Sequence, residues 1–510
     1  MAETTRTQPQ NAVPTVESTS AVFPDARLAL PLLLLSGLLF SAINLRHAYD
    51  DAYITYRYAY NFATGHGFVY NPGERYLGTS APLYGLLLGV LGWFHPDSIP
   101  LLGGLLCGLA LTLTGLGLYR FGQAAGKPFC GLLAGLLFIV NPFALAAFSG
   151  EMLFQAMLIV WAFALAYQQK TREAAVLLAV AILVRPDGLL AALVMGLYHL
   201  VTRRRFPARE TLVLAAILLP FLLASWAYYG TPLPGTMASK VAQTRSGNWG
   251  TFGRGCLNAL LALLPSGQKI PGNVPMPFAA LLLAAALFGV AVVNRFRFWL
   301  PLLAWCVLFA LVYHLAHLPF YHWYMIPVAL ALCIFAACTF AALAELAASR
   351  WKEQGRLVYG VALLLIAPIL VAQIPGARVR ALGAEKSPVR LVYSRVGDWL
   401  ARHTHPDASV GYIEIGFLGY TSHRPMIDPL GLVNPGVSPH VAQGDLTWAY
   451  EHYRPDYILE NPHFDGLLMN RVMQSDWFRR EYAPVTTIIQ PGVPPLIIYT
   501  RRLHSGPSSS

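Results

Sequence analysis

Apolar residues recur in long runs from about residue 28 to residue 373, and a mixed pattern follows. The runs at 28–45, 98–119, 130–148, 151–168, 210–228, 276–293, 298–317, 323–345 and 357–373 have the length and low charge of membrane-crossing helices. Between residues 174 and 202 the apolar pattern is interrupted by Arg185-Pro186-Asp187-Gly188. Proline and glycine stop helices, and each half has only about 11–14 residues, roughly 16–21 Å at the helical rise. The pattern predicts a short hairpin with Arg185 and Asp187 at its tip, facing an aqueous cavity. The alternative is one kinked helix with a buried Arg–Asp pair. The run at 82–94 is about 13 residues long, which suits a re-entrant or interfacial segment better than a crossing. Beyond residue 376 a helix over 389–402 and the β-type runs "ASVGYIEIG", "DYILE", "VTTIIQ" and "PLIIYT" predict a small α/β domain. Residues 1–26 are rich in Thr, Pro, Gln and Ser and predict a disordered tail.

Composition agrees with a polytopic α-helical membrane protein: the 510 residues are 56% hydrophobic and only 12% charged, where soluble chains carry about twice that charge fraction. The net charge of +11 does not point to nucleic acid, because the cations sit in short loops: Arg120 and Lys127; Lys170 and Arg172; Arg203 to Arg205 and Arg209; Arg295 and Arg297; Arg350, Lys352 and Arg356. Placing those loops in the cytoplasm by the positive-inside rule gives a consistent path of about 11 crossings. The N-terminus (residues 1–26) is then inside, 27–375 form the membrane domain and 376–510 an extracytoplasmic domain. The first run lacks a small-residue cleavage site and reads as a retained helix. No Cys spacing suggests a zinc site or a disulfide framework.

Against this background "HAYDDAYITYRYAYNFATGHGFVYNPGERY" (47–76) stands out. Tyr49, Tyr53, Tyr56 and Tyr60 share one helical face, and Asp50, Arg57, Asn61 and Thr64 an adjacent polar one, with Gly65 as a stop. The spacing predicts an amphipathic helix on the outer membrane surface, its tyrosines at the interface. The helix dipole accounts for one carboxylate near the N-terminus. Asp50 and Asp51 project about 100° apart on a helix, so capping does not account for both. The same outer side of the membrane collects Glu74, Arg75, Glu151, Arg185, Asp187, Lys240 in "YYGTPLPGTMASK", and Tyr321, His322 and Trp323 in "HLPFYHWY". Charges at membrane depth usually line a cavity or pair.

Carboxylates, cations and aromatic rings at one membrane face suit glycosyl transfer from a lipid-linked phosphate sugar. Arg and Lys steady the leaving phosphate. A carboxylate takes the proton of the acceptor hydroxyl. Aromatic faces hold sugar rings. Asp50 shares its face with Arg57, which leaves Asp51 freer to meet substrate, and both are candidates. Adjacent carboxylates can also ligate a divalent metal, although "DDAY" lacks a spaced DxD and no third ligand lies nearby in sequence.

"DDAYITYRYAYNFATGHGFVYNPGER" resembles the first external loop of GT-C membrane glycosyltransferases, closest to the terminal arabinofuranosyltransferase group. "SGE" (149–151), "VRPDG" (184–188), "YYGTPLPGTMASK" (228–240), "WYMIP" (323–327) and "GFLGYTSHRPMIDPLGLVNP" (416–435) follow in the family's order. The resemblance implies a GT-C fold, a polyprenyl-phosphate sugar donor, a glycan or glycoprotein acceptor, and residence in the bacterial inner membrane with the active site outside. It makes Asp50 or Asp51 the catalytic acidic residue of the first loop, with Arg185 and Lys240 as donor-phosphate contacts; Arg57, on the polar face of the same helix, is a further candidate phosphate contact. Glu74, Arg75, Glu151, Asp187, Tyr321, His322 and Trp323 are candidate substrate contacts by their place at the same membrane face. Leu77 stands where the family often carries a second glutamate, and "SGEML" shifts Glu151 by one position. A protein-modifying transferase, a transporter or flippase, and a non-catalytic scaffold are the rival readings. The lack of an inverted repeat and the gathering of polar residues at one face weigh against transport.

Overall fold

The computed structural model describes residues 25–261, 276–371, 374, 387–461 and 466–502. The N-terminal tail, apart from its last two residues, and the boundary expected at 375/376 lie outside them. The membrane part begins with α1 (Ala26–Asn44), α2 (Asp50–Ala63), α3 (Pro82–Leu91), α4 (Ile99–Ala124), α5 (Pro128–Ile139), α6 (Pro142–Ala146), α7 (Glu151–Tyr167) and α8 (Thr171–Val184). It continues with α9 (Leu189–Arg203), α10 (Ala208–Tyr229), α11 (Thr236–Arg245), α12 (Phe252–Leu261), α13 (Met276–Val292), α14 (Leu300–Leu315), α15 (Ile326–Arg350) and α16 (Gly355–Val371).

Among the described residues five helical stretches, 26–44, 96–124, 208–229, 283–315 and 322–350, are long and apolar enough to cross a membrane. The ten residues of α3 span about 15 Å, half the hydrocarbon thickness. The centre of the bundle is α5, every residue of which is buried. An all-round apolar helix belongs there. It lies against α4 closely enough that a Cβ on Gly122 would meet the Gly131 backbone at 2.7 Å, the small-residue contact that membrane helices use. At the periphery α10 exposes Leu212, Leu219, Leu223 and Trp226, as a lipid-facing helix should.

The interrupted apolar pattern at 185–188 is a hairpin. Arg185 is extended (φ −150°, ψ 132°), and Thr171 and Ala174 of α8 face Thr202 and Arg203 of α9 across one cavity, so the two helices run antiparallel.

The C-terminal part packs the helix Pro388–His403 on a five-stranded sheet. Its strands are β1 (Val410–Gly411), β2 (Met426–Ile427), β3 (Tyr457–Glu460), β4 (Tyr482–Ile488) and β5 (Leu496–Arg501), in the order β2-β1-β3-β5-β4. β1 pairs parallel with β2 and β3, while β5 pairs antiparallel with β3 and β4. Three of the β-type runs form β3, β4 and β5. "ASVGYIEIG" gives only the two residues of β1 before a helix, Ile415–Ser422, begins.

One expectation is overturned: the tyrosine face of α2 does not meet a membrane interface. Residues from Ala52 to Ala59, and Asn61, are buried. Tyr56 donates to the Ser149 carbonyl (2.6 Å), Tyr53 packs on Phe417 and Tyr420, and Tyr60 on Tyr420 and His423. The tyrosine face meets protein instead of lipid. The first loop and the C-terminal domain share a core in which Ile54, Tyr58, Tyr70 and Leu77 pack with Val392, Val396, Tyr412 and Leu418. Asn71 reinforces the joint. Its amide donates to the Met426 carbonyl (3.0 Å) and accepts from the Met426 amide (2.9 Å), so one side chain pairs with β2 as a strand would.

Candidate functional site

Asp50 and Asp51 open α2, and their neighbours separate them completely. Asp50 turns toward the C-terminal domain and accepts from the backbone amides of Gly416 and Phe417, both at 2.8 Å. It thereby satisfies two orphan donors at the start of the helix Ile415–Ser422. Gly416 is required by this approach, since a Cβ there would meet the Asp50 carbonyl oxygen at 2.0 Å. Burial pushes the Asp50 carboxyl up to about 6; the Asp51 charge adds to the shift, and the two amides and Arg390 oppose it. Asp51 points the other way. Its Oδ2 lies 3.2 Å from Lys240 Nζ, with 31% of the Asp51 side chain exposed.

Lys240 is held by what surrounds it. Burial opposes its charge, but the facing Asp51 carboxylate, with Tyr321 and Tyr324, raises the ammonium pKa above the usual lysine range. Nζ sits 3.8 Å from the Tyr321 ring centroid. Tyr49, Trp323 and Tyr321 form a continuous stack, with centroids 4.6 Å apart at each step, and Tyr321 donates to Gln243 Oε1 (2.8 Å).

Two cavities meet at this pair. The first, about 220 Å³, is bounded by Asp51, Lys240, Glu151, Arg185, the loop residue Leu233 and Met237 at the start of α11. Leu233 and Met237 are exposed and give it an apolar lip. The second, about 370 Å³, lies on the side of the C-terminal domain and is bounded by Asp50, Asp51, Lys240, Trp249, Tyr321 and Glu414. Asp51 and Lys240 therefore stand in the wall common to both.

The hairpin tip forms the floor of the first cavity. Arg185 pairs with Glu151 through Nη1 and with Asp187 through Nη2 (3.0 Å), and donates to Tyr313 (3.2 Å) and Ser80 (3.3 Å). Gln155 donates to Asp187 (2.7 Å). All three charged side chains are at most 8% exposed, so this is a closed network.

The structure thus brings Asp51, Lys240, Glu151, Arg185, Asp187 and Trp323 to one cavity and Asp50 and Tyr321 to the next. It does not bring the others there. Arg57 is 2% exposed and donates to His423 Nδ1 (2.8 Å), so the expected Asp50–Arg57 pairing is absent. Glu74 accepts from Asn71, Arg75 stacks on Tyr228, and His322 bonds the Ala146 carbonyl. Sequence reasoning missed Glu414, which sits beside Asp50 and Asp51. Burial first, and then those two charges, hold its carboxyl well above the ordinary range. Its signal was hidden inside an apparent strand. "RPMIDPLG" carries structure: Asp428 is fully buried and accepts from the amides of Leu430 (2.8 Å) and Leu432 (2.5 Å), fixing the loop that walls the second cavity. Among the described residues no group of three His, Cys, Asp or Glu side chains could hold a metal ion.

Apolar helices around a polar cavity, capped by a sheet domain that packs on the first loop, define a membrane-embedded GT-C fold. ArnT from Cupriavidus metallidurans, in a crystal structure bound to undecaprenyl phosphate, superimposes with a TM-score of 0.55 at 14% identity, over 92% of this chain and 97% of that one. The oligosaccharyltransferase of Archaeoglobus fulgidus in its apo form matches with a TM-score of 0.55 at 12% identity, over 95% and 76%. AglB from the same organism, in complex with an inhibitory peptide and a dolichol-phosphate, matches at 0.55 and 11%, over 94% and 75%. At such identities the likeness establishes the fold. The chain belongs to the predicted membrane protein family DUF2079, whose model matches residues 52–394. Residues 380–505 match a second domain of unknown function, DUF8728. No curated protein matches the chain.

Proposed function

We propose that this protein is a polyprenyl-phosphate-dependent glycosyltransferase of the cell envelope, working at the extracytoplasmic face of a bacterial inner membrane. The observation that carries the reading is the shared wall: one carboxylate and one ammonium serve a cavity with an apolar lip and a cavity roofed by the C-terminal domain. The carrier lipid occupies the first, its tail at Leu233 and Met237. Lys240 meets the phosphate, and Arg185 holds Glu151 and Asp187 in place for the sugar. The acceptor glycan enters the second cavity along Trp249 and Tyr321, whose faces suit sugar rings.

In the reaction the acceptor oxygen bonds to the anomeric carbon as its proton passes to an Asp51 oxygen. The carbon–phosphate oxygen bond breaks, and the electron pair leaves with polyprenyl phosphate, whose charge Lys240 neutralises. The bound undecaprenyl phosphate of ArnT and dolichol-phosphate of AglB support the donor class. Arabinofuranose is the donor sugar that the first-loop resemblance favours. The membrane domain of 27–375 is then the catalytic part and 376–510 the acceptor-side domain.

The test is transfer from polyprenyl-phosphate sugars to glycan acceptors by protein in nanodiscs, reading polyprenyl phosphate release and glycosidic product. Asp51→Asn lowers both about 10³-fold. Wild-type turnover in Asp50→Asn and Asp51→Asn alike would falsify the reading, and substrate flux without glycosidic product would make the protein a transporter. Product formed only on peptide acceptors would replace the glycan acceptor by a protein.

A further inference from the structure

The α8–α9 hairpin has a second end. Opposite its Arg185–Asp187 tip, a cavity of about 240 Å³ lies between α8, α9 and α10. Its mouth carries Thr171, His199, Arg203 and Glu210, at the level of the loops, and its inner end is bounded by Leu178 and Ala192. Ala192 and Arg203 are eleven residues apart on one helix, so the cavity runs about 16 Å into the membrane. Gly196 borders it, and a Cβ there would meet nothing within 4 Å.

This shape is polar at the bilayer surface and apolar within, and its surroundings are positive. Lys170, Arg172, Arg203, Arg204, Arg205 and Arg209 are exposed around the mouth, against the two carboxylates Glu173 and Glu210. Glu210 is already engaged by the Thr171 hydroxyl (2.6 Å). The positive-inside rule accounts for the cations but not for a gap between helices. Outside it, α9 and α10 present Leu193, Leu197 and Leu212 outward, so the gap is bordered by lipid-facing surface.

We propose that this cavity binds an anionic phospholipid of the bilayer, with its phosphate at Arg203 and the start of one acyl chain between α8 and α9. Basic pockets between membrane helices suit such headgroups. The site lies at the face opposite the catalytic cavity and is independent of the glycosyltransferase reading. Its occupant braces the base of the two short helices whose tip places Arg185 and Asp187.

The test is native mass spectrometry of the whole protein with phosphatidylglycerol and phosphatidylcholine as probes, beside unfolding midpoints with each lipid. Wild type is expected to retain phosphatidylglycerol preferentially and to be stabilised by it. Gly196→Phe fills the space and loses the lipid. Arg203→Gln, an exposed position that leaves folding intact, reduces the preference about fivefold, the weight of one cation at a membrane surface. Equal retention of the two lipids by wild type, or an unchanged preference in Arg203→Gln, overturns the proposal, as does retention of undecaprenyl phosphate in place of phosphatidylglycerol. Should Gly196→Phe fail to fold, Arg203→Gln decides alone.

Discussion

Two ion-pair sites border the same cavity and are built on opposite plans. At the hairpin tip one guanidinium is shared by two carboxylates, a phenol and a hydroxyl, and water hardly reaches it. At the start of α2 one carboxylate meets one ammonium at 3.2 Å, with part of the carboxylate open to two cavities. The first site has its hydrogen-bonding capacity spent within the protein and serves to hold shape. The second keeps capacity in hand, which the proposed proton transfer and phosphate contact require. Charge and burial alone would rank the tip as the more conspicuous site. Unspent capacity ranks the α2 pair first.

The comparison can be broken most directly at Asp51. Asp51→Asn is expected to lower kcat about 10³-fold, the scale of a lost general base, while lowering the unfolding midpoint less than a break in the closed network at the tip does. An equal loss of turnover and stability would erase the distinction between the sites. At the tip the outcome reverses. Arg185→Gln leaves Glu151 and Asp187 buried without a cation and should cost about 3–5 kcal/mol of stability, read by thermal unfolding in detergent. Next comes Lys240→Gln, expected to weaken inhibition by undecaprenyl phosphate about tenfold through the loss of one charge-assisted contact. If Arg185 were the main phosphate contact, this affinity would barely move.

The most gradual effect, spread over a pH window, concerns the neighbour that looks equivalent in sequence. Burial holds the Asp50 carboxyl up to about 6 in the folded protein, against 3.8 for an ordinary aspartate side chain. The folded state therefore binds more protons than the unfolded chain between those values, and stability falls as pH rises through that window, levelling off above about 6. The shift corresponds to at most about 3 kcal/mol. Asp50→Asn should flatten that slope in melting curves recorded from pH 4 to pH 7. Asp428, also raised to about 6, contributes a slope of the same sign that the variant retains.

How far the sequence could be read follows from the range of the forces involved. Helix breaks are local, so Arg185-Pro186-Asp187-Gly188 announced its hairpin. Alternation is local too, and it located β3, β4 and β5. β2 escaped because two residues between Pro425 and Asp428 leave no room for a pattern. The environment of α2 was misjudged for a different reason. Periodicity tells which face of a helix is distinctive, not what covers it, and tyrosine suits a membrane interface and a protein interior alike. Glu414 and the amides of Gly416 and Phe417 meet the first loop across more than 360 residues of chain. No window along the sequence contains both partners.

The Asn71–Met426 clasp also sets an order of events during synthesis. Asn71 is made early and must wait for Met426, 355 positions later. At typical elongation rates that delay is on the order of tens of seconds. Until then α2 has no partner for its outer face, the amides that hold Asp50 do not exist, and the second cavity has no roof. A nascent chain anchored in the bilayer thus lacks one wall of the second cavity until residues 413–468 have been made.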